Sequence, residues 1–319
     1  MPRPVLMPDS NVWAYLVDHG GIEIMYRESK RLGIAVAACP AVGYEFLRAG
    51  HAGVKRARMQ ALCRSTWLRL MPDVFKEAEE ARLAISHRRP EWMDPTPQLG
   101  RWRALAADWK SGWWYRVRTD TQNEAIKLWR VEGDRLDQAR EQATFGRDEA
   151  RQAAITFDNV VFDVSAVPVG WVPRWWDGEP FDAWRIQEAQ VLKDALERPG
   201  SGYHDWLSPW INPARIDEKD WFHLWLREVT EREMPLAWLR WAFAHVQATR
   251  TTSNGAPVDN QIATYLPECD VFVTADKIFA ECIEKVREAS PVAIGRAARV
   301  PANAAAVDAV VDLLNAMAG

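Results

Sequence analysis

The side chains best suited to chemistry in this 319-residue chain are four carboxylates near its two ends, Asp9, Glu45, Asp259 and Asp276. Asp9 follows the short apolar run PVLMP and Asp276 closes CDVFVTAD, so a buried strand ends at each of them. Glu45 rides on PAVGYEFLRAG and Asp259 opens VDNQIA, both helical in pattern. Chemistry in an open parallel sheet collects outside the carboxyl ends of its strands, and a single edge can receive all four acids. Carboxylates at that density cannot all stay ionised without a cation. Hard oxygen ligands suit Mg²⁺ or Mn²⁺, which lower the pKa of a bound water and stabilise charge on a phosphate. That is the logic of phosphodiester hydrolysis without a covalent enzyme intermediate. The plainer reading is that an Asp after a strand caps the next helix, and Asp9 or Asp259 taken singly fits that role. The combination of the four segments favours metal ligation.

The elements that must position these acids alternate. After the first strand a helical pattern runs through Val12, Leu16, Ile22, Met25 and Leu32, with Gly33 as punctuation. IAVAAC then reads as a buried strand, and Pro40 opens a helix at its favoured first-turn position. Residues 54–66 read as an amphipathic helix, WLRLMP as a short strand, and DVFKEAEEARLAI as a helix capped by Asp73. The texture changes from about Arg88 to Trp-, Arg- and Glu-rich helical stretches broken by prolines, Pro168 among them, with no convincing strand. Beyond Pro235 the alternation resumes with LAWLRWAFAHVQATR, the turn TTSNGAP, a helix near Asp259, the strand before Asp276, the helix KIFAECIEKVREA, a last strand in VAIGRAARV and a last helix. The expected architecture is α/β, with a central parallel sheet formed by 1–88 and 236–319 and a mainly helical, Trp-rich insertion over 89–235. A surface loop tolerates such an insertion because closure entropy grows slowly with length.

The segments MPDSNVW, YEFLRAG, APVDNQIATYL and DVFVTADKIF resemble, in that order, the motifs of PIN-like domain nucleases, the fold of VapC-type toxins and of several RNA-processing enzymes. The resemblance covers about residues 1–88 and 236–319. It implies a three-layer PIN-like fold that cleaves single-stranded RNA, or DNA in some branches, with Mg²⁺ or Mn²⁺, leaving 5′-phosphate and 3′-hydroxyl ends. It implies Asp9, Glu45, Asp259 and Asp276 as the metal-binding catalytic acids. Asn11 would orient that carboxylate shell, Thr274 would fix a carboxylate or a metal-bound water, and Ser10 takes the small hydroxyl position after the first acid. By analogy a toxin-like role, an inhibitory protein partner and a homo-oligomer are compatible with it. The central insertion departs from small toxin-type members.

Within the insertion, RWRALAADWKSGWWYRVR interleaves Arg101, Arg103, Lys110, Arg116 and Arg118 with Trp102, Trp109, Trp113, Trp114 and Tyr115. Aromatic faces stack on unpaired bases while basic groups follow phosphates, so these are candidate nucleic-acid contacts. Trp102, Trp109 and Trp113 also fall at helical spacing, and a buried stripe is the other meaning of that pattern. The loop-like cluster WVPRWWDGEPFDAW reads as a lid, a docking patch or packed irregular structure. Asp270, six residues before Asp276, belongs at the opposite end of its strand, roughly 20 Å away at about 3.3 Å per residue, and reads as structural. Asp18 reads as a solvated or capping residue of the first helix.

A formal charge of −4 removes the signal of a globally basic surface, so phosphate contact must come from local patches or bound cations. The four cysteines make no CxxC pair and read as reduced core residues, and the histidines show no HxxxH or HExxH spacing. No run of 18 apolar residues occurs and the N-terminus does not read as a signal peptide, which makes the cytoplasm the expected address and no membrane the expected partner. The combined expectation is a metal-dependent endonuclease acting on single-stranded RNA. The alternatives are a DNA nuclease of the same fold and a PIN-like scaffold that binds nucleic acid or protein without cutting.

Overall fold

A computed structural model describes residues 3–162, 171–177, 180–200, 202–250 and 256–319, with the backbone alone at 132–140, 142–143 and 256–258. Its centre is a five-stranded, all-parallel sheet in the order β3-β2-β1-β4-β5, comprising β1 (Val5–Pro8), β2 (Ala35–Ala38), β3 (Leu68–Arg69), β4 (Val271–Thr274) and β5 (Arg296–Arg299). The inner strands are short apolar runs because helices cover both faces of a parallel sheet; every residue of β4 is buried. β1 lies between β2 and β4, with Leu6 opposite both Val36 and Val271.

Helices α1 (Ser10–Asp18), α2 (Ile22–Leu32), α3 (Pro40–Arg48), α4 (Ala52–Leu62) and α5 (Asp73–Arg88) follow the first strands. The continuous helical pattern expected over residues 12–32 is in fact broken, because Gly20 turns with φ of +70° and ends α1. Gly21 then lets the chain pass close to the last helix, since a Cβ there would lie 2.8 Å from Leu16 and Val307. The helix expected over 54–66 begins and ends earlier, at Ala52 and Leu62, and WLRLMP supplies only the two residues of β3. The expected Asp73 cap is corrected, since Asp73 is the first residue of α5 and its carboxylate turns to Arg240 and Gln261 instead.

The insertion contributes α6 (Gly100–Ala107), α7 (Trp113–Thr119), α8 (Thr121–Gln152), α9 (Ala183–Glu197), α10 (His204–Leu207) and α11 (Glu218–His223). Among its described residues the one β pairing is an isolated bridge between Met93 and Ile211. Its two ends are held together where the chain leaves and returns: Arg88 pairs with Glu233 at 2.8 Å, and Arg89 pairs with Asp220 at 2.8 Å and Glu228 at 2.6 Å. The 32 residues of α8 run about 48 Å at about 1.5 Å per residue, and the helix packs against α3 and α4. It also packs against α12 (Pro235–Ala248) and α13 (Ala256–Ala263) of the returning chain. The fold closes with α14 (Lys277–Ala289) and α15 (Ala306–Ala318). The Pro168 break, Gly178 and Glu179 of the loop-like cluster, and residues 251–255 of the turn TTSNGAP lie outside the described residues. All four cysteines are buried and free, and no helix among the described residues is long and apolar enough to cross a membrane.

Trp113 and Trp114 correct the expectation of a base-stacking surface, because they are 7% and 0% exposed. Trp113 packs edge-on against Tyr44, its ring centroid 5.7 Å away, and fills the space above Gly43, where a Cβ would lie 2.9 Å from the indole. These contacts hold the insertion against α3, the helix of Glu45. Trp114→Ala is expected to cost about 3–5 kcal/mol in a urea titration, the range for deleting a buried large aromatic side chain. A loss below about 1 kcal/mol would mean that this face of the insertion is not core.

Candidate active site

The chain moves outward from β1 in both directions, to β2 and β3 on one side and to β4 and β5 on the other. The crevice outside the carboxyl ends of β1 and β4 is therefore the switch point of the sheet, where open α/β folds bind ligands. Asp9 stands there, 4% exposed. Its backbone N–H donates to Val273 O at 2.8 Å. One carboxylate oxygen, Oδ1, accepts from the Ser10 N–H at 2.7 Å. The other accepts from Thr274 Oγ1 at 2.7 Å and from Asn11 Nδ2 at 2.8 Å. Asn11 in turn accepts from the Ala275 N–H at 3.0 Å, and Thr274 Oγ1 accepts from the Asp276 N–H at 3.0 Å. Asn11 and Thr274 thus lace the end of β1 to the end of β4.

Glu45 reaches the same place from α3, where its carboxylate bonds to the side chain of Ser10. Burial raises its pKa, opposed by that bond and by the charges of Arg48 and Arg58. Asp259, partly buried on α13, is pushed up to about 8, first by burial and then by the charges of Asp9, Glu45 and Asp276. Asp9 is pushed up to about 7 by burial, against the Thr274 bond, with Glu45 and Asp276 adding to the rise. Asp276 is exposed and caps α14, accepting from the Ile278 and Phe279 N–H groups at 2.7 and 3.0 Å. Both bonds go to Oδ1, so the cap leaves Oδ2 to other partners. Asp9 and Asp259 both lie in the field of Glu45 and Asp276, although two helices and two strand ends carry the four acids.

They are not drawn into a tight metal cage. Among the described residues, the one trio of donor atoms within 4.8 Å of one another is Asp220, His223 and Glu228 on the insertion. Arg89 already neutralises that trio, forking onto both Asp220 and Glu228. At the sheet edge Asp9 instead turns inward to Thr274 and Asn11, and Asp276 turns to its helix. The donor set still fits a hard cation, since the hydroxyls of Thr274 and Ser10 flank Asp9 and Glu45, and both of these acids repel Asp259.

The other candidate contacts are dispersed. Arg101 pairs with Asp205 at 2.8 Å, Arg116 is held by Asp108 at 2.5 Å, and Arg118 lies over the Tyr115 ring. Arg103 and Lys110 are exposed. Asp270 accepts from the Val5 N–H at 2.7 Å, at the amino end of the central strands and away from the acids. Asp18 ends α1 and reaches Arg58 at 3.4 Å. Sequence reasoning missed Asp73 and Gln261, joined by a hydrogen bond of 3.1 Å; the signal available was a polar residue two positions after Asp259, on the opposite side of a short helix. Comparisons with protein-family models, with curated proteins and with solved structures each find no match.

Proposed function

We propose that the chain is a divalent-metal-dependent endonuclease of PIN-like type that hydrolyses phosphodiester bonds in single-stranded RNA in the cytoplasm. The observation that carries this reading is the gathering of Asp9 and Asp259, both raised by burial and by the charges of Glu45 and Asp276, at the switch point of a parallel sheet. Acids raised to about 7 and about 8 hold protons that a cation would displace. Mg²⁺ or Mn²⁺ bound there would activate a water and offset charge on the scissile phosphate. Asp9, Glu45, Asp259 and Asp276 would hold the ion, while Thr274 and Asn11 keep the Asp9 carboxylate oriented. Arg48 and Arg58, close enough to Glu45 to act on its charge, supply local positive potential that the net charge of −4 does not. An inhibitory protein partner fits the same reading.

The scaffold reading has one specific observation in its favour, that Asp9 and Asp276 both cap helices. Incubation of the protein with labelled single-stranded RNA, single-stranded DNA and duplex separates the readings. Mn²⁺-dependent cleavage of RNA that EDTA stops is the expected result. Cleavage confined to DNA would move the substrate class, and the absence of both cleavage and calorimetric Mn²⁺ binding would refute the enzyme.

A further inference from the structure

Helix α13 presents two polar residues in different directions. Asp259 and Gln261 are two positions apart, about 200° around a helix that turns 3.6 residues per turn. Asp259 lies in the field of Asp9, Glu45 and Asp276. Gln261 points elsewhere, its Nε2 donating to Asp73 Oδ1 at 3.1 Å. Asp73, 3% exposed, gathers two further bonds from the same stretch of chain. Its Oδ2 accepts from Arg240 Nη2 on α12 at 3.1 Å, and its backbone N–H donates to the Tyr265 hydroxyl, just beyond α13, at 2.8 Å. An eight-residue helix has little stability of its own, so contacts of this kind decide how it is rotated.

We propose that Asp73 is a positioning residue for the candidate site, holding Gln261 so that α13 is rotated with Asp259 toward Asp9, Glu45 and Asp276. This rests on the nuclease reading for its consequence, though not for its geometry. The anchor extends into the insertion. Arg240 also donates to Glu77, which is fully buried, and the Tyr203 hydroxyl donates to that same carboxylate at 2.6 Å. The neighbouring Glu80 is raised to about 9 by burial, and burial raises Glu188 as well, while Arg240 bonds to Asp73 and Glu77. A polar chain therefore runs from the insertion through Glu77, Arg240 and Asp73 to the helix of Asp259.

The test compares Gln261→Met with a swap. Methionine keeps the length and the apolar packing of the side chain and removes its donor, so the fold should persist. With Mn²⁺ and single-stranded RNA, Gln261→Met is expected to lower kcat between about 10-fold and about 100-fold, the scale of a misplaced reacting group, with KM little changed. Asp73→Asn and Gln261→Glu each lose activity likewise. Combined, they restore an amide-to-carboxylate bond between the same two positions and should recover most of kcat, which a merely structural role would not require. A wild-type rate in Gln261→Met, or a swap no better than its single changes, would overturn the proposal. A wild-type protein that neither binds Mn²⁺ nor cleaves would refute the nuclease reading instead. Amide hydrogen exchange over 256–263 then decides the positioning claim: exchange at least about 10-fold faster in Gln261→Met upholds it, and equal rates overturn it.

Discussion

In the purified Asp9→Asn protein, Mn²⁺-dependent cleavage is expected to fall by at least about 100-fold, equivalent to about 2.7 kcal/mol of lost transition-state stabilisation. The amide keeps an oxygen for Thr274 and Asn11 but removes the charge that would hold the cation. Stability should move the other way, with a sign that depends on pH. Above about pH 7, where the Asp9 carboxyl is ionised, the substitution removes a desolvated charge that Glu45 and Asp276 repel, so the metal-free melting temperature should equal or exceed wild type. At about pH 5 Asp9 is already protonated in the wild type. There the variant gains nothing and loses part of the bonding to Ser10, so it should be equal or slightly less stable. Unchanged metal-dependent cleavage by Asp9→Asn would sink the proposed site, because Asn caps a helix about as well as Asp.

The second large effect is on the metal-free wild type. Asp9 and Asp259 have folded-state pKa values of about 7 and about 8, above the ordinary carboxylate value they regain on unfolding. The folded protein therefore binds more protons than the unfolded chain between about pH 4 and about pH 8, and stability falls as pH rises through that window. The slope should approach about 2.7 kcal/mol per pH unit where both groups are protonated in the folded state and ionised in the unfolded chain. His245 acts in the opposite sense at lower pH: its buried ring has a lowered pKa, so it favours the fold as pH rises to about 6.5. Glu80, raised to about 9, carries the fall to higher pH, which makes Mn²⁺ the discriminating addition. At about 100 times its Kd the ion should return about 2.7 kcal/mol, and it should do so more effectively at pH 8 than at pH 6. Thermal melts at several pH values, with and without Mn²⁺, measure this. A Mn²⁺ shift that is absent, or equal in Asp9→Asn, would count against ligation by these acids.

Much of the sheet was legible because its strands carry their own signal. PVLMP, IAVAAC and DVFVTAD are apolar runs that helices must cover on both faces, and each ends at a polar residue or a proline. The placing of Asp9 beside Thr274 followed from that, since two parallel neighbours put their ends together. Other features depended on partners that no local pattern names. Asp73 stands at a helix start and so reads as a cap, but Arg240 and Gln261, 167 and 188 positions away, take its carboxylate instead. Trp113 and Trp114 alternate with basic residues as a binding surface would, yet the space above Gly43 and the Tyr44 ring bury Trp113. An aromatic side chain on a helix can face core or solvent, and the choice lies in the surface it meets. The inward turn of Asp9 to Thr274 and Asn11 and the capping bonds of Asp276 are likewise a matter of competing donors that spacing cannot rank.

The position of β4 beside β1 has a consequence for synthesis. Asp9 and its partner Thr274 are 265 positions apart, so at about 5–20 residues per second the first strand waits tens of seconds on the ribosome before its neighbour is made. Until then one edge of β1 is bare, an open template for wrong pairing and a natural client for a chaperone. During the same interval two of the four acids do not yet exist. A nascent chain, or one cut short before Asp259, would carry the entire insertion and three of the five strands but only two of the four acids, so the proposed centre can assemble only when roughly the last fifth of the protein has emerged and docked.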